Sequence, residues 1–207
     1  ITYKKTVEGY ADRINKCKFG KVYNKRLFLS GNPEYKNCDW HSGDINVAQV
    51  ESYNMDSTKD FTYFSDLDYC RYGSDETAVV GYDIYRDGDL IVFKETSRSE
   101  ATLYKRTSSL INAVDYAGNV LDNSLIEEAY PCFDINSNGG EGSFTPRTIV
   151  NFVGDTLFLT RNGLKVLSSK ETTSNNAKYA YDVSTYINTK ITNEDLVNAR
   201  LFTFKER

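Results

Sequence analysis

The sequence predicts a mainly β protein made of antiparallel, blade-type sheets, and three observations predict it. Tyr and Phe number 16 and 11 in 207 residues against a single Met, and such rings favour pleated, half-buried surfaces. A strand–turn–strand pattern recurs three times along the chain. Helical patterning is confined to short stretches, so no helix longer than about four turns is expected.

The repeat defines the elements in order. With Leu27, Leu90 and Leu157 as equivalent positions, the turn formers Asn24, Asp87 and Gly154 stand three residues earlier. Val22, Tyr85 and Phe152 stand five earlier, and Phe19, Tyr82 and Ile149 eight earlier. Phe28-Leu29, Ile91-Val92 and Phe158-Leu159 follow. Each unit therefore predicts a β-hairpin around its turn former. The expected core is Phe19, Val22, Leu27, Leu29, Tyr82, Leu90, Val92, Ile149, Phe152, Leu157 and Leu159. A third strand follows in two units, over residues 102–106 and 163–167, the latter introduced by Asn162-Gly163, a type I′ turn signal.

Three or four antiparallel strands in tandem are what a propeller blade looks like in sequence, so the fold class is a β-propeller or part of one. The chain reads as a single blade-repeat domain with units over about 15–72, 73–130 and 143–207. This spacing exceeds the roughly 40–50 residues of common propeller repeats. Long polar loops at 33–64 and 134–146 fill the difference and are the expected contact surfaces between subunits. Residues 123–129, ended by Pro131, predict a short helix; 182–188 and 193–198 predict a turn or two each. Residues 201–205 read as the opening of a strand, so the chain is expected to be a fragment of a larger propeller.

Composition bounds the chemistry. The formal charge of −4 argues against a chain-wide nucleic-acid surface while leaving room for a local basic patch. No apolar run approaches the roughly 20 residues that span a bilayer. Cys17, Cys38, Cys70 and Cys132 are too far apart in sequence for a zinc or redox CxxC pair; they read as free thiols in a reducing compartment, and nothing favours one of their three pairings. His41 is the only histidine, which removes the commonest general base and reads as an anchor beside Trp40. Asp66, Asp68, Asp75 and Glu76 could be drawn as a glycosidase pair but read as solvated loop carboxylates. Residues 134–140 begin like a calcium loop, yet Thr145 stands where the bidentate Glu belongs and Glu141 comes too early. Lys16-Cys17-Lys18 and Lys105-Arg106 are too short for a nucleic-acid stripe. No catalytic, cofactor or metal residue is therefore expected.

One resemblance adds to this reading. Residues 26–33 (RLFLSGNP) with 39–42 (DWHS), 61–64, 73–81, 88–95 and 103–107, and then 145–150, 154–160 and 162–164, run in the order seen in certain phage and prophage proteins. The chain resembles DNA-stabilisation, neck or tail-accessory proteins, which are built as β-propellers. The resemblance implies a non-enzymatic virion structural protein that stabilises packaged DNA and connects portal to tail. It implies portal or tail ring proteins as partners and a homo-oligomer in the parent assembly. It implies no small-molecule substrate and no cofactor. The location implied is the virion, with the host bacterial cytoplasm during assembly. The alternative is a secreted or surface β-propeller binding glycans or proteins, for which exposed aromatic rings would suit sugar stacking.

Overall fold

Asn24 and Lys25 both take positive φ, 44° and 64°, which is the backbone a tight two-residue hairpin needs. They join β1 (Phe19–Tyr23) to β2 (Arg26–Ser30), with Tyr23 opposite Arg26. The computed structural model describes residues 10–43, 64–112, 126–135, 140–171, 176–186, 188–192 and 196–204, and the same motif opens three sheets in it. Residues 85–89 join β5 (Val79–Ile84) to β6 (Leu90–Lys94). Val153 and Gly154 join β11 (Ile149–Phe152) to β12 (Asp155–Thr160).

Each hairpin grows into a four-stranded antiparallel sheet. The first continues through β3 (Cys38–Ser42) and β4 (Phe64–Arg71), the third through β13 (Gly163–Glu171) and β14 (Asn176–Asp182). The second continues through β7 (Leu103–Arg106). The chain then leaves to form a separate hairpin, β8 (Ser109–Asn112) with β9 (Ile126–Ala129), and returns as β10 (Cys132–Asp134) beside β7. Short helices α1 (Tyr10–Asn15) and α2 (Asn188–Thr192), with 3₁₀ turns at Pro146–Thr148 and Leu196–Asn198, complete the described elements. None of the described helices is long and apolar enough to cross a membrane.

The middle sheet explains its own apolar run. Leu90, Ile91, Val92 and Phe93 are all fully buried, because alternate side chains of β6 enter different cores. Leu90 and Val92 join Tyr23, Phe28 and Tyr72 of the first sheet's side. Ile91 and Phe93 join Phe158 and Leu167 of the third sheet. The second sheet is thus covered on both faces, and β5, its first strand, lies beside β1 and β11, the first strands of its neighbours.

Two buried polar hubs lock the layers. Asp39 on β3 accepts from Arg106 Nη1 on β7 at 2.6 Å and from the hydroxyls of Tyr72 and Tyr82 at 2.6 and 3.2 Å. Arg106 also donates from Nε and Nη2 to the Tyr130 carbonyl, and its guanidinium lies 5.0 Å from the Phe28 ring centre. Burial pushes the Tyr72 and Tyr82 phenols well above their usual range, so both remain hydroxyl donors. Asp83 on β5 is the second hub: Lys21 from β1, Asn151 from β11 and Thr156 from β12 all reach its carboxylate.

Several expectations change. Val22, Leu27 and Phe152 are exposed rather than in the core, while Phe19, Leu29, Ile149 and Leu157 are half-buried. Alternation is the reason: in the outer two sheets the inward positions are Phe28 and Phe158, one residue after the aligned leucines. The described end of residues 123–129 is strand β9 rather than helix; Glu127 and Glu128 pair with Ile111 and Leu110. The hairpin at Asn162 forms as expected, but its turn is Arg161-Asn162, without the positive φ of type I′, and Gly163 already pairs with Thr160. Leu201–Phe204 is not a strand; Phe202 and Phe204 are exposed and Leu201 N donates to the Arg147 carbonyl. The 33–64 loop contains β3, and its residues 44–63 lie outside those described.

Candidate functional site: a basic cavity at the head of the three sheets

The strands run so that β1, β5 and β11 all begin at one end of the molecule, where β2 and β6 finish. A cavity of about 780 Å³ opens there. Its floor is apolar: Phe19 from β1, Val79 and Val80 from β5, and Phe144 and Pro146 from the segment entering β11. Four cations surround that floor, each from a different part of the chain. Lys18 precedes β1, Lys36 lies between β2 and β3, Arg147 is in the 3₁₀ turn before β11, and Arg200 follows the last 3₁₀ turn.

Local geometry fixes these positions. The side-chain hydroxyl of Thr145 accepts from Arg147 N at 3.3 Å, and that of Thr148 donates back to the Thr145 carbonyl, which tightens the turn carrying Arg147. The Leu201 N–H donates to the Arg147 carbonyl at 2.8 Å and draws Arg200 to the same rim. Lys18 N donates to the Ser30 carbonyl, setting Lys18 at the head of the first hairpin. One carboxylate, Glu95, lines the cavity, and its Oε2 accepts from Ala78 N at 3.0 Å. Among the described residues the four cationic side chains have no ion-pair partner.

Four cations against one carboxylate make the cavity positive in a chain of formal charge −4. With an apolar floor and exposed, unpaired cations, it suits a phosphate- or carboxylate-bearing chain. Its cations are separated by up to 182 positions in sequence, from Lys18 to Arg200, so no run in the chain advertises them. Lys16-Cys17-Lys18 contributes only Lys18, because Lys16 pairs with Glu34 at 2.5 Å. Lys105-Arg106 contributes nothing: Lys105 pairs with Asp89, and Arg106 is buried in the Asp39 hub.

The carboxylates and histidine considered from sequence lie elsewhere. His41 is buried on β3, its ring 5.2 Å from Phe28 and 4.9 Å from Tyr130, with Nδ1 3.2 Å from the Ser42 carbonyl. It belongs to the core. Asp68 is half-buried on β4, while Asp75 and Glu76 are exposed in the turn before β5. In the calcium-like loop Asp134 ends β10, residues 136–139 lie outside those described, and Glu141 binds Lys165 at 2.8 Å. No group of three or more metal-ligating side chains occurs among the described residues. Gly140 and Gly142 are stitched to their own chain, through Ser97 N to the Gly140 carbonyl and Gly142 N to Thr96.

No protein-family model and no curated protein matches the sequence.

Proposed function

We propose that this chain is a blade-bearing structural module of a phage neck or tail, which stabilises packaged DNA and links portal to tail. The observation that carries the reading is the tandem of three successive four-stranded antiparallel sheets, the second interrupted by the β8–β9 hairpin, with their first strands side by side. That arrangement is how successive propeller blades are laid down.

The outer faces support it. The first sheet turns Val22, Leu27 and Tyr69 outward, and the third turns Phe152 and Tyr181 outward. Tyr181 ends a row across the third sheet with half-buried Val150 and Leu157 and buried Val166. Apolar faces of this kind on both flanks suit further blades, within a longer chain or in a ring of copies. The phage placement itself rests on the order of sequence segments that resemble neck and tail-accessory proteins.

The basic cavity supplies the DNA contact in this reading. Lys18, Lys36, Arg147 and Arg200 face phosphates of the backbone, which needs no base readout. Binding to linear duplex DNA should weaken as salt rises. The double variant Lys36→Glu/Arg147→Glu should flatten the log–log salt slope by about 1–2. In the parent phage, particles carrying this variant should form in normal number and release nuclease-sensitive DNA. Normal DNA retention together with an unchanged salt slope would overturn the proposal. Binding of acidic glycans in place of DNA would favour a surface recognition module.

A further inference from the structure

Cys132 on β10 stands directly across from Arg106 on β7, and Cys70 on β4 directly across from Asp39 on β3. Arg106 and Asp39 are the buried ion pair that ties the first sheet to the second. The pair therefore brings level the strands outside it, β4 and β10, and with them their cysteines. Both thiols are half-buried against the same apolar cluster, and each shifts the titration of the other. Both are free.

We propose that Cys70 and Cys132 form a reversible oxidation site, at which a peroxide converts the thiol pair to a disulfide joining the two sheets. The Cys132 thiolate attacks one peroxide oxygen, the O–O bond breaks, and the second oxygen leaves as water after taking a proton. Cys132 is then a sulfenic acid. The Cys70 sulfur, giving up its proton, attacks the Cys132 sulfur, the S–O bond breaks and a second water leaves. Two thiols lose two electrons in total, and one peroxide becomes two waters.

The electrostatics set the direction of attack. The neighbouring Cys70 thiol lowers Cys132 against the opposing effect of burial, and Arg106, directly across from Cys132, lowers it further. The Cys132 thiol and burial push Cys70 up, and the Asp39 carboxylate directly across from it raises it further. Cys132, across from the Arg106 cation, is thus the nucleophile, and Cys70, across from the Asp39 carboxylate, the resolving thiol. The remaining cysteines are unlike them. Burial pushes Cys17 up to about 11 and raises Cys38, and both pack beside Trp40 in another cluster.

The test uses the intact chain, freed of reductant and treated with stoichiometric hydrogen peroxide. Titratable thiols should fall from four to two, and a non-reducing peptide map should join the segments holding Cys70 and Cys132. The midpoint of thermal unfolding should rise by about 5–10 °C and return on adding dithiothreitol. In Cys70→Ser the reaction should stop at a Cys132 sulfenic acid that dimedone traps, with no rise in midpoint. A Cys17–Cys38 link, a link between chains, four thiols remaining, or sulfinic acid at Cys132 of the unsubstituted protein without a link would each overturn the proposal.

Discussion

Asp39 is fully buried and its two oxygens accept from three side chains, so its charge is balanced only while Arg106, Tyr72 and Tyr82 stay in place. Asp39→Ala would leave the Arg106 guanidinium, itself buried, without its counter-charge. Chemical denaturation should show a loss of about 3–5 kcal/mol, with Arg106→Met/Asp39→Leu together costing much less than Asp39→Ala. The cores show the same dependence on single positions. Phe158 is fully buried against Phe93, with ring centres 5.1 Å apart, whereas Leu157 is half-buried on the opposite face. Phe158→Ala should cost about 3–5 kcal/mol and Leu157→Ala clearly less, measured as unfolding midpoints at unchanged denaturant slope. The sequence makes Leu157 the tempting choice, because alignment on a leucine repeat says nothing about which parity points inward.

At the scale of the element, the end of β6 is the most specifically built. Lys94 is fully buried and its Nζ donates to the carbonyls of Tyr72 and Ser74 and to Glu100 at 2.8 Å. Glu100 accepts also from Thr77 and from Ser74 N. Burial raises the Glu100 carboxyl, but the bonds from Lys94, Thr77 and Ser74 outweigh it and hold the group below its ordinary value of 4.5. A depressed carboxylate stabilises the fold above the unfolded-state value, and that contribution disappears as pH falls through the folded one. The unfolding midpoint should therefore drop as pH falls below that ordinary value, and Glu100→Gln should reduce that drop while lowering stability at neutral pH. The hairpins around Asn24, Asp87 and Gly154 were legible because turn chemistry is local. Strand β9 was not: Ile126–Ala129 has residues as good for helix, and its pairing with β8 is decided by tertiary contacts. The cavity was illegible for the same reason. Lys18, Lys36, Arg147 and Arg200 become neighbours only once three sheets share an end.

For the whole molecule, order of sheets and order of sequence coincide, with one exception. β10 completes the second sheet only after the β8–β9 hairpin. Tyr130, at the return, packs its ring on Tyr23 and Phe28 at 6.0 and 5.4 Å, and its hydroxyl accepts from Asn24 and Arg26. A chain cut after residue 112 should therefore keep strand content but lose protection of the first sheet; limited proteolysis should cleave near the β1–β2 turn, and a chain ending at 135 should resist. The detour has a consequence for synthesis. On the ribosome the first sheet emerges early, yet its Phe28 face is not fully closed until Tyr130 has been translated, about 5–20 s after Phe28 at ordinary elongation rates. During that interval the nascent chain shows a greasy aromatic surface, and any slowing of translation across residues 43–130 lengthens the window in which a chaperone, or a second nascent chain, can take the place reserved for Tyr130.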